Sequence, residues 1–323
     1  NNTINIFGAG PGVFNFIGNG DTNILAGNNS SIVNGADNNI FAEFSLIGGG
    51  NLNCINNNSI NSVIGGGTNN AVGGIGVGAL DAPHSFLGGG ENNLIDTNAG
   101  FTSSHNVIAG GSNHTVNAGA ANTFIGGGDS NRTQSTFSTV AGGANNQALD
   151  QGTSISGGLN NIISVGQSSA IGGGVNNSIA GANAGIASGS SNSIFNSSTF
   201  SFIGGGNANC VGGAAVGSSP SIGGFIGGGA SNCIDTDSVT ISEFNVIVGG
   251  QQNTITPGAT HSVIGGGINS RINAGSTHGF IAGGDRNAIA SGLQGSRPSN
   301  FSMIGGGQLN IIDTSAAGTS HHN

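Results

Sequence analysis

Lysine, tryptophan and tyrosine are absent from this chain, methionine occurs once, and only 5% of its 323 residues are charged. Four arginines offer no basic patch, so nucleic acid is not an expected partner. No apolar run approaches the ~18 residues of a membrane helix, so no membrane insertion is expected in this segment. Five prolines and no Gly-X-Y period exclude a collagen triple helix. The scarcity of charge, with 35% hydrophobic residues, also argues against disorder.

What is present is 66 glycines, 47 asparagines and a formal charge of −9 from 13 acids. The chain begins Asn1-Asn2-Thr3 without Met. Residue 1 is therefore not expected to be the translation start, with any signal peptide removed or not included.

One phrase recurs: an aliphatic anchor, two or three Gly, two variable residues, Asn, one residue, then another apolar residue. IGGGNLNCI at Ile47 and IGGGTNNAV at Ile64 are good copies. Seventeen anchors run from Ile17 to Ile304 at spacings of 15 to 23 residues. The spacing series 17, 23, 21, 17 starts at Ile47 and again at Ile186, which implies a duplication of about 47–125 as 186–264. VGGIGVG at Val72 matches VGGAAVG at Val211, and Ile95-Asp96-Thr97, Ile234-Asp235-Thr236 and Ile312-Asp313-Thr314 are equivalent. Helical repeats need ~33 residues per unit. Coils of 15–23 residues rich in Gly, Asn, Ser and Thr instead predict an all-β parallel β-solenoid. The expected organisation is an N-terminal segment, 1–16, followed by one continuous solenoid, 17–323.

Columns follow from the register. The anchor and the residue eight places later (Ile55, Val72, Ile95, Val116) are expected to face inward and fill a narrow core. The residue six places after the anchor is predominantly Asn: Asn53, Asn70, Asn93, Asn131, Asn146, Asn161, Asn177, Asn192, Asn209, Asn232, Asn253, Asn287 and Asn310. Stacked carboxamides can accept from one neighbouring coil and donate to the other, which predicts an Asn ladder. His114 and Ser270 interrupt it and mark expected distortions. Position −2 is small or polar and shares the anchor's face. Position −1 is large and apolar after long spacings (Val63, Phe86, Phe124, Phe202, Met303) and small after most short ones. The favoured reading is that the extra residues of long coils fold over this outer face; the alternative is an exposed apolar stripe.

Ser62-Val63-Ile64-Gly65-Gly66-Gly67-Thr68-Asn69-Asn70 and its equivalents resemble the Gly-Asn repeats of YadA-like trimeric autotransporter adhesin heads. Similar IGGG-Asn repeats occur in surface or fibre proteins of large viruses. The resemblance covers Ile17 to Asn310 and implies a left-handed parallel β-roll, trimerisation and attachment to a surface. Coils as long as 23 residues depart from that pattern, and no neck or heptad stalk is present in the sequence.

Candidate sites are few. His84, His105, His261 and His278 lie three residues before an anchor, in two pairs on successive coils, and imidazoles ~5 Å apart are weak metal-ligand candidates. The same column holds Phe14, Phe44, Phe137, Phe200, Phe244 and Phe301, which favours a packing position for planar side chains. No metal or other cofactor is expected. Cys54, Cys210 and Cys233 each follow an anchor by seven residues; free thiols are favoured, because directly stacked parallel positions fit disulfide geometry poorly. An intermolecular bond is the alternative. The carboxylates form no acid/base couple by spacing. Asn-x-Ser/Thr acceptors occur at Asn1, Asn28, Asn29, Asn57, Asn113, Asn131, Asn176, Asn196 and Asn300.

The next anchor after Ile304 is expected at position 325, so the given chain stops within a coil. His322-Asn323 then match His105-Asn106. The alternating Thr3-Ile4-Asn5-Ile6 of a second subunit is expected to complete that coil. These features point to a non-enzymatic, extracellular structural subunit of a cell- or virion-surface fibre, with itself as partner. The alternative is an adhesin or viral fibre module that recognises surface glycans.

Overall fold

A computed structural model of the chain describes residues 1–5, 13–74, 82–96, 103–196, 198–213, 221–234, 242–289 and 300–312. The fold is an all-β parallel solenoid, with no helix among the described residues. It divides into two compact units, Asn1–Asn160 and Asn161–Asn323.

In the first unit nine two-residue strands carry the anchors, from Phe16–Ile17 to Ser154–Ile155. They pair in parallel and in register, Ile17 with Ile32, then Ile47, Ile64, Leu87 and on to Ile155. A second ladder joins the residues eight places on, from Leu25 through Ile40, Ile55, Val72, Ile95, Val116 and Thr133 to Ala148. This ladder starts upstream of the first anchor, because Thr3–Ile4 pairs with Ile24–Leu25. The second unit repeats the plan with eight anchor strands, Ala170–Ile171 to Met303–Ile304, and nine second strands, Ile162–Ile163 to Ile311–Ile312. Nine anchor strands bound eight turns and eight bound seven, 15 in all. The duplication recurs in the strands: Leu46–Ile47, Val63–Ile64 and Phe86–Leu87 reappear as Gly185–Ile186, Phe202–Ile203 and Phe225–Ile226.

Anchors and second-strand aliphatics are buried to within a few percent, with Ile17 and Ile312 at the margins and Ile4, in the first strand, exposed. Strand alternation sends these side chains inward and their neighbours outward. One coil buries too little to hold itself, and the column supplies the rest.

Two turns per coil reverse the direction of hydrogen bonding. In the coil of Ile47, the amides of Leu46, Gly48, Asn51, Cys54 and Asn56 donate forward to Ser62, Ile64, Gly67, Asn70 and Val72 at 2.9–3.1 Å. Leu52 and Phe44 donate backward, to Ala36 and Asn28. Both lie in the left-handed region, at φ 58° and 53°. A left-handed residue swings its own N–H to the opposite side of the coil, so these two positions give each coil bonds on both faces. Asn tolerates this conformation best; Phe and Leu adopt it at a cost of about 1–2 kcal/mol.

The third glycine is a different device. Gly67 has φ 91°, and a Cβ there would collide with the carbonyl oxygen of Gly90 and sit 2.7 Å from Nδ2 of Asn70. Gly66 meets nothing closer than 3.8 Å. Gly67→Ala is therefore expected to lower stability by at least about 2 kcal/mol. Gly66→Ala should stay within about 0.5 kcal/mol of the parent or exceed it. Guanidinium unfolding midpoints of the two variants check the difference.

Candidate functional site

The most repeated polar group is buried. Asn70 donates its backbone N–H and its Nδ2 to Oδ1 of Asn53 at 3.1 and 3.0 Å. The same Nδ2 reaches the carbonyls of Gly66 and Gly90 at 3.1 and 3.0 Å. Its Oδ1 accepts from the backbone and side chain of Asn93 at 3.1 and 3.0 Å. Both donors and both lone pairs of the carboxamide are thus used, the condition for burying it. The predicted ladder residues Asn53, Asn70 and Asn93 in the first unit, and Asn177, Asn209, Asn232 and Asn253 in the second, are all buried in this column; Asn310 bonds Asn287 Oδ1 and Gly306 O and is exposed. Asn23 and Asn38 belong to it too, six places after Ile17 and Ile32, where the sequence reading did not extend the column.

The two interruptions differ. His114 is buried, accepts at Nδ1 from the backbone of Asn131 at 3.1 Å, and leaves Nε2 without a partner. Burial holds its pKa below 6.5 although Asp129 and nearby carbonyls pull the other way. Ser270 keeps the rung's backbone bond to Oδ1 of Asn253 at 3.0 Å, but its hydroxyl has no partner.

A second polar ladder at position −2 was read from the sequence only as small or polar. Ser30 Oγ donates to Ala42 O at 2.9 Å and accepts the amide of Ser45 at 3.0 Å. Asn106 takes over this task, bonding Ala120 O at 2.8 Å, and Asn245 does the same with Ala259 O at 2.7 Å in the duplicate. Mixed Ser, Thr and Asn in one column hid a single function from composition.

The histidines come together as pairs. His84 stacks on His105 with centroids 4.9 Å apart, and His261 on His278 at 5.2 Å, between Phe244 and Phe301. Near-parallel rings present faces to one another rather than converging nitrogens, and this column is the left-handed turn position. No group of three His, Cys, Asp or Glu suited to a metal occurs among the described residues.

Three expectations are corrected. Cys210 and Cys233 form a disulfide rather than remaining free. In-register neighbours with side chains on one face lie at Cα–Cα 4.6 Å, inside the range a disulfide spans. Cys54 is free, and burial pushes its thiol up to about 11. The face before the anchors is not covered at its largest side chains: Phe86, Phe124, Phe202 and Phe225 are 39–44% exposed and Met303 63%, while Val63 and Val107 are half-buried. The extra residues of the longest coils, such as 75–81 and 97–102, lie outside the described residues. Asn131 leaves the set of glycan acceptors, because its buried Nδ2 bonds Gly127 O and Gly143 O, both at 2.8 Å.

Asp96 and its partner Ser103 are described; Ile6, Thr97, Asp235, Thr236, Asp313, Thr314, His322 and Asn323 lie outside the described residues. No described helix is long and apolar enough to cross a membrane. A shallow cleft of about 360 Å³ in the first unit is lined by Ala26, Gly27, Asn28, Phe41, Glu43 and Asn57. Comparison with protein-family models and with curated proteins finds no match to this chain.

Asn70→Asp turns a donor into an acceptor facing two carbonyls and should cost about 3 kcal/mol or more, beyond Asn70→Ala, read from unfolding midpoints. His114 predicts a pH effect. Its folded pKa is depressed, so the unfolded chain takes up the proton first. Stability is therefore full above about pH 6.5 and falls as pH drops from there toward the folded value. His114→Asn should raise the thermal midpoint and remove that component, seen as the difference between wild-type and variant melting curves from pH 8 to 4.5.

Proposed function

We propose that this protein is a non-enzymatic structural subunit of an extracellular fibre that lengthens by stacking solenoid on solenoid. One observation carries the reading. Within each unit the hydrogen-bonding rung is repeated almost unchanged, with the same forward and backward donors and the same carboxamide column. A cross-section that matches its neighbour inside the chain also matches the corresponding section of another copy. The Cys210–Cys233 disulfide supports an oxidising compartment such as the exterior of a cell or virion. The likeness to adhesin-head and viral-fibre repeats rests on the repeated phrase and suggests the same setting.

A second reading, a surface-glycan binding module, is favoured by the cleft at Phe41. It combines an aromatic side chain with the carboxylate of Glu43 and the amides of Asn28 and Asn57, groups suited to a sugar ring and its hydroxyls. Purified chain is expected to form filaments with ~4.8 Å axial periodicity, visible by electron microscopy and fibre diffraction. Monodisperse particles that bind a glycan array, and lose binding in Phe41→Ser, select the second reading instead.

A further inference from the structure

The outer face of the anchor sheet in the first unit is uncharged and presents its largest apolar side chains to solvent. Phe16, Leu46, Phe86 and Phe124 stand exposed on it, flanked at the turn by exposed Phe44 and Phe137. The Phe86 and Phe124 rings run along their own strands: a Cβ on Gly88 or Gly126 would lie 3.3 or 3.1 Å from their Cε1 atoms. Beyond the two rings stand Gly89 and Gly127, at φ 153° and 148°, with no atom closer than 3.8 Å to where a Cβ would stand. Gly110 and Gly142 have no atom within 4 Å of where a Cβ would stand and no positive φ. A ridge with large side chains at alternate coils (Phe16, Leu46, Phe86 and Phe124) therefore runs beside a trough that is glycine from Gly49 to Gly157 and Asn at Asn19 and Asn34.

Charge is absent from the same strip. Across the nine coils of the first unit, the seven positions from turn residue to third glycine hold no Asp, Glu or Arg. The chain as a whole carries −9, and its acids lie elsewhere on the coil. Two copies repel at their acidic surfaces and meet without that penalty here. Nine rungs at ~4.8 Å and about five residues at ~3.3 Å give a face of about 700 Å², near the ~800 Å² per partner of a stable complex. Only another stack with the same rung spacing meets every ring with a gap.

We infer that this face pairs side by side with the same face of a second copy. The symmetry follows from the pattern. A two-fold axis across the stack would set ridge on ridge. A two-fold axis parallel to the stack sets each ridge over the partner's trough, coil for coil, with both stacks running in the same direction. Such a pair is compatible with axial growth and does not depend on it.

Sedimentation equilibrium of the full chain is expected to show a dimer. Gly66→Arg with Gly110→Arg places two side chains in the trough, where space is open, and should weaken pairing at least tenfold with an unchanged thermal midpoint. Asn39→Arg with Ala71→Arg adds the same charge to the other sheet, in the column that already holds Arg132, and should leave it within about twofold. A monomeric wild type overturns the inference, as does equal weakening by both variants. So does a monomer that sediments with crystalline cellulose through this face, which would assign the face to a polysaccharide. If the chain polymerises, wild-type filaments should be twice the width of the trough variant's. Single-width wild-type filaments defeat lateral pairing and leave axial stacking intact; dimers without filaments do the reverse.

Discussion

The buried carboxamide column is the constraint on which the rest of this structure depends. Strands of two residues cannot bring the chain round a corner every few residues without leaving carbonyls inside the turn. Away from the first and last rungs, the Nδ2 of a ladder Asn bonds two of these, one from its own coil and one from the next, as Asn70 does with Gly66 and Gly90. The third glycine is part of the same device, because a Cβ on Gly67 would occupy the place where Asn70 and the Gly90 carbonyl meet. Neither residue is replaceable alone without loss of bonds or space. Glutamine would push the amide a methylene further, serine falls short as Ser270 shows, and histidine offers a single donor where the amide offers two.

What could be read from the chain before its structure was whatever one residue type performs alone. Inward aliphatics and the amide column both have a single chemical solution, so Ile47, Ile64 and Leu87 or Asn53, Asn70 and Asn93 repeat visibly and fix the register of both ladders. The left-handed turns were invisible because many residues satisfy them: Leu52, Asn69, Asn92 and Arg286 all stand at one such position with φ between 53° and 58°. There the backbone bond to the preceding coil imposes the conformation and the side chain submits to it. The serine ladder was hidden for a related reason, since Ser30 and Asn106 solve the same problem with different groups. The disulfide runs against the expectation that directly stacked positions fit its geometry poorly, because in-register neighbours on one face lie at bonding distance.

The same logic separates the inside of the coil from its outside. Interior positions repeat because each must match the coil above and below. Outward positions are free to vary, yet the strip along the anchor strands varies only among apolar, small and hydroxyl-bearing residues, the turn's Asn and His, and Asn19 and Asn34 in place of the second glycine, and never takes a formal charge. Variation bounded in this way indicates a constraint from outside the coil, since nothing inside it excludes a lysine or glutamate from a side chain that points into solvent.

Repetition also makes departures legible as differences in local stability. In a solenoid each coil is held chiefly by its two neighbours, so one imperfect rung weakens a local segment rather than the whole. Three consecutive coils of the first unit depart together. His114 has an Nε2 without a partner; Thr133 stands where an aliphatic residue belongs, with its hydroxyl unbonded; and Ala148 fills the next core position with a single methyl. Each substitution removes either buried apolar surface or a satisfied polar group from the column. The neighbouring rungs, from Ile40 to Ile95, keep an aliphatic residue at every second-strand core position and a fully bonded ladder carboxamide, although the buried hydroxyls of Ser59 and Ser85 lack partners. The first unit is therefore least secured between residues 114 and 148, although its backbone rungs there are as complete as elsewhere, and opening of the stack is favoured to begin in that segment.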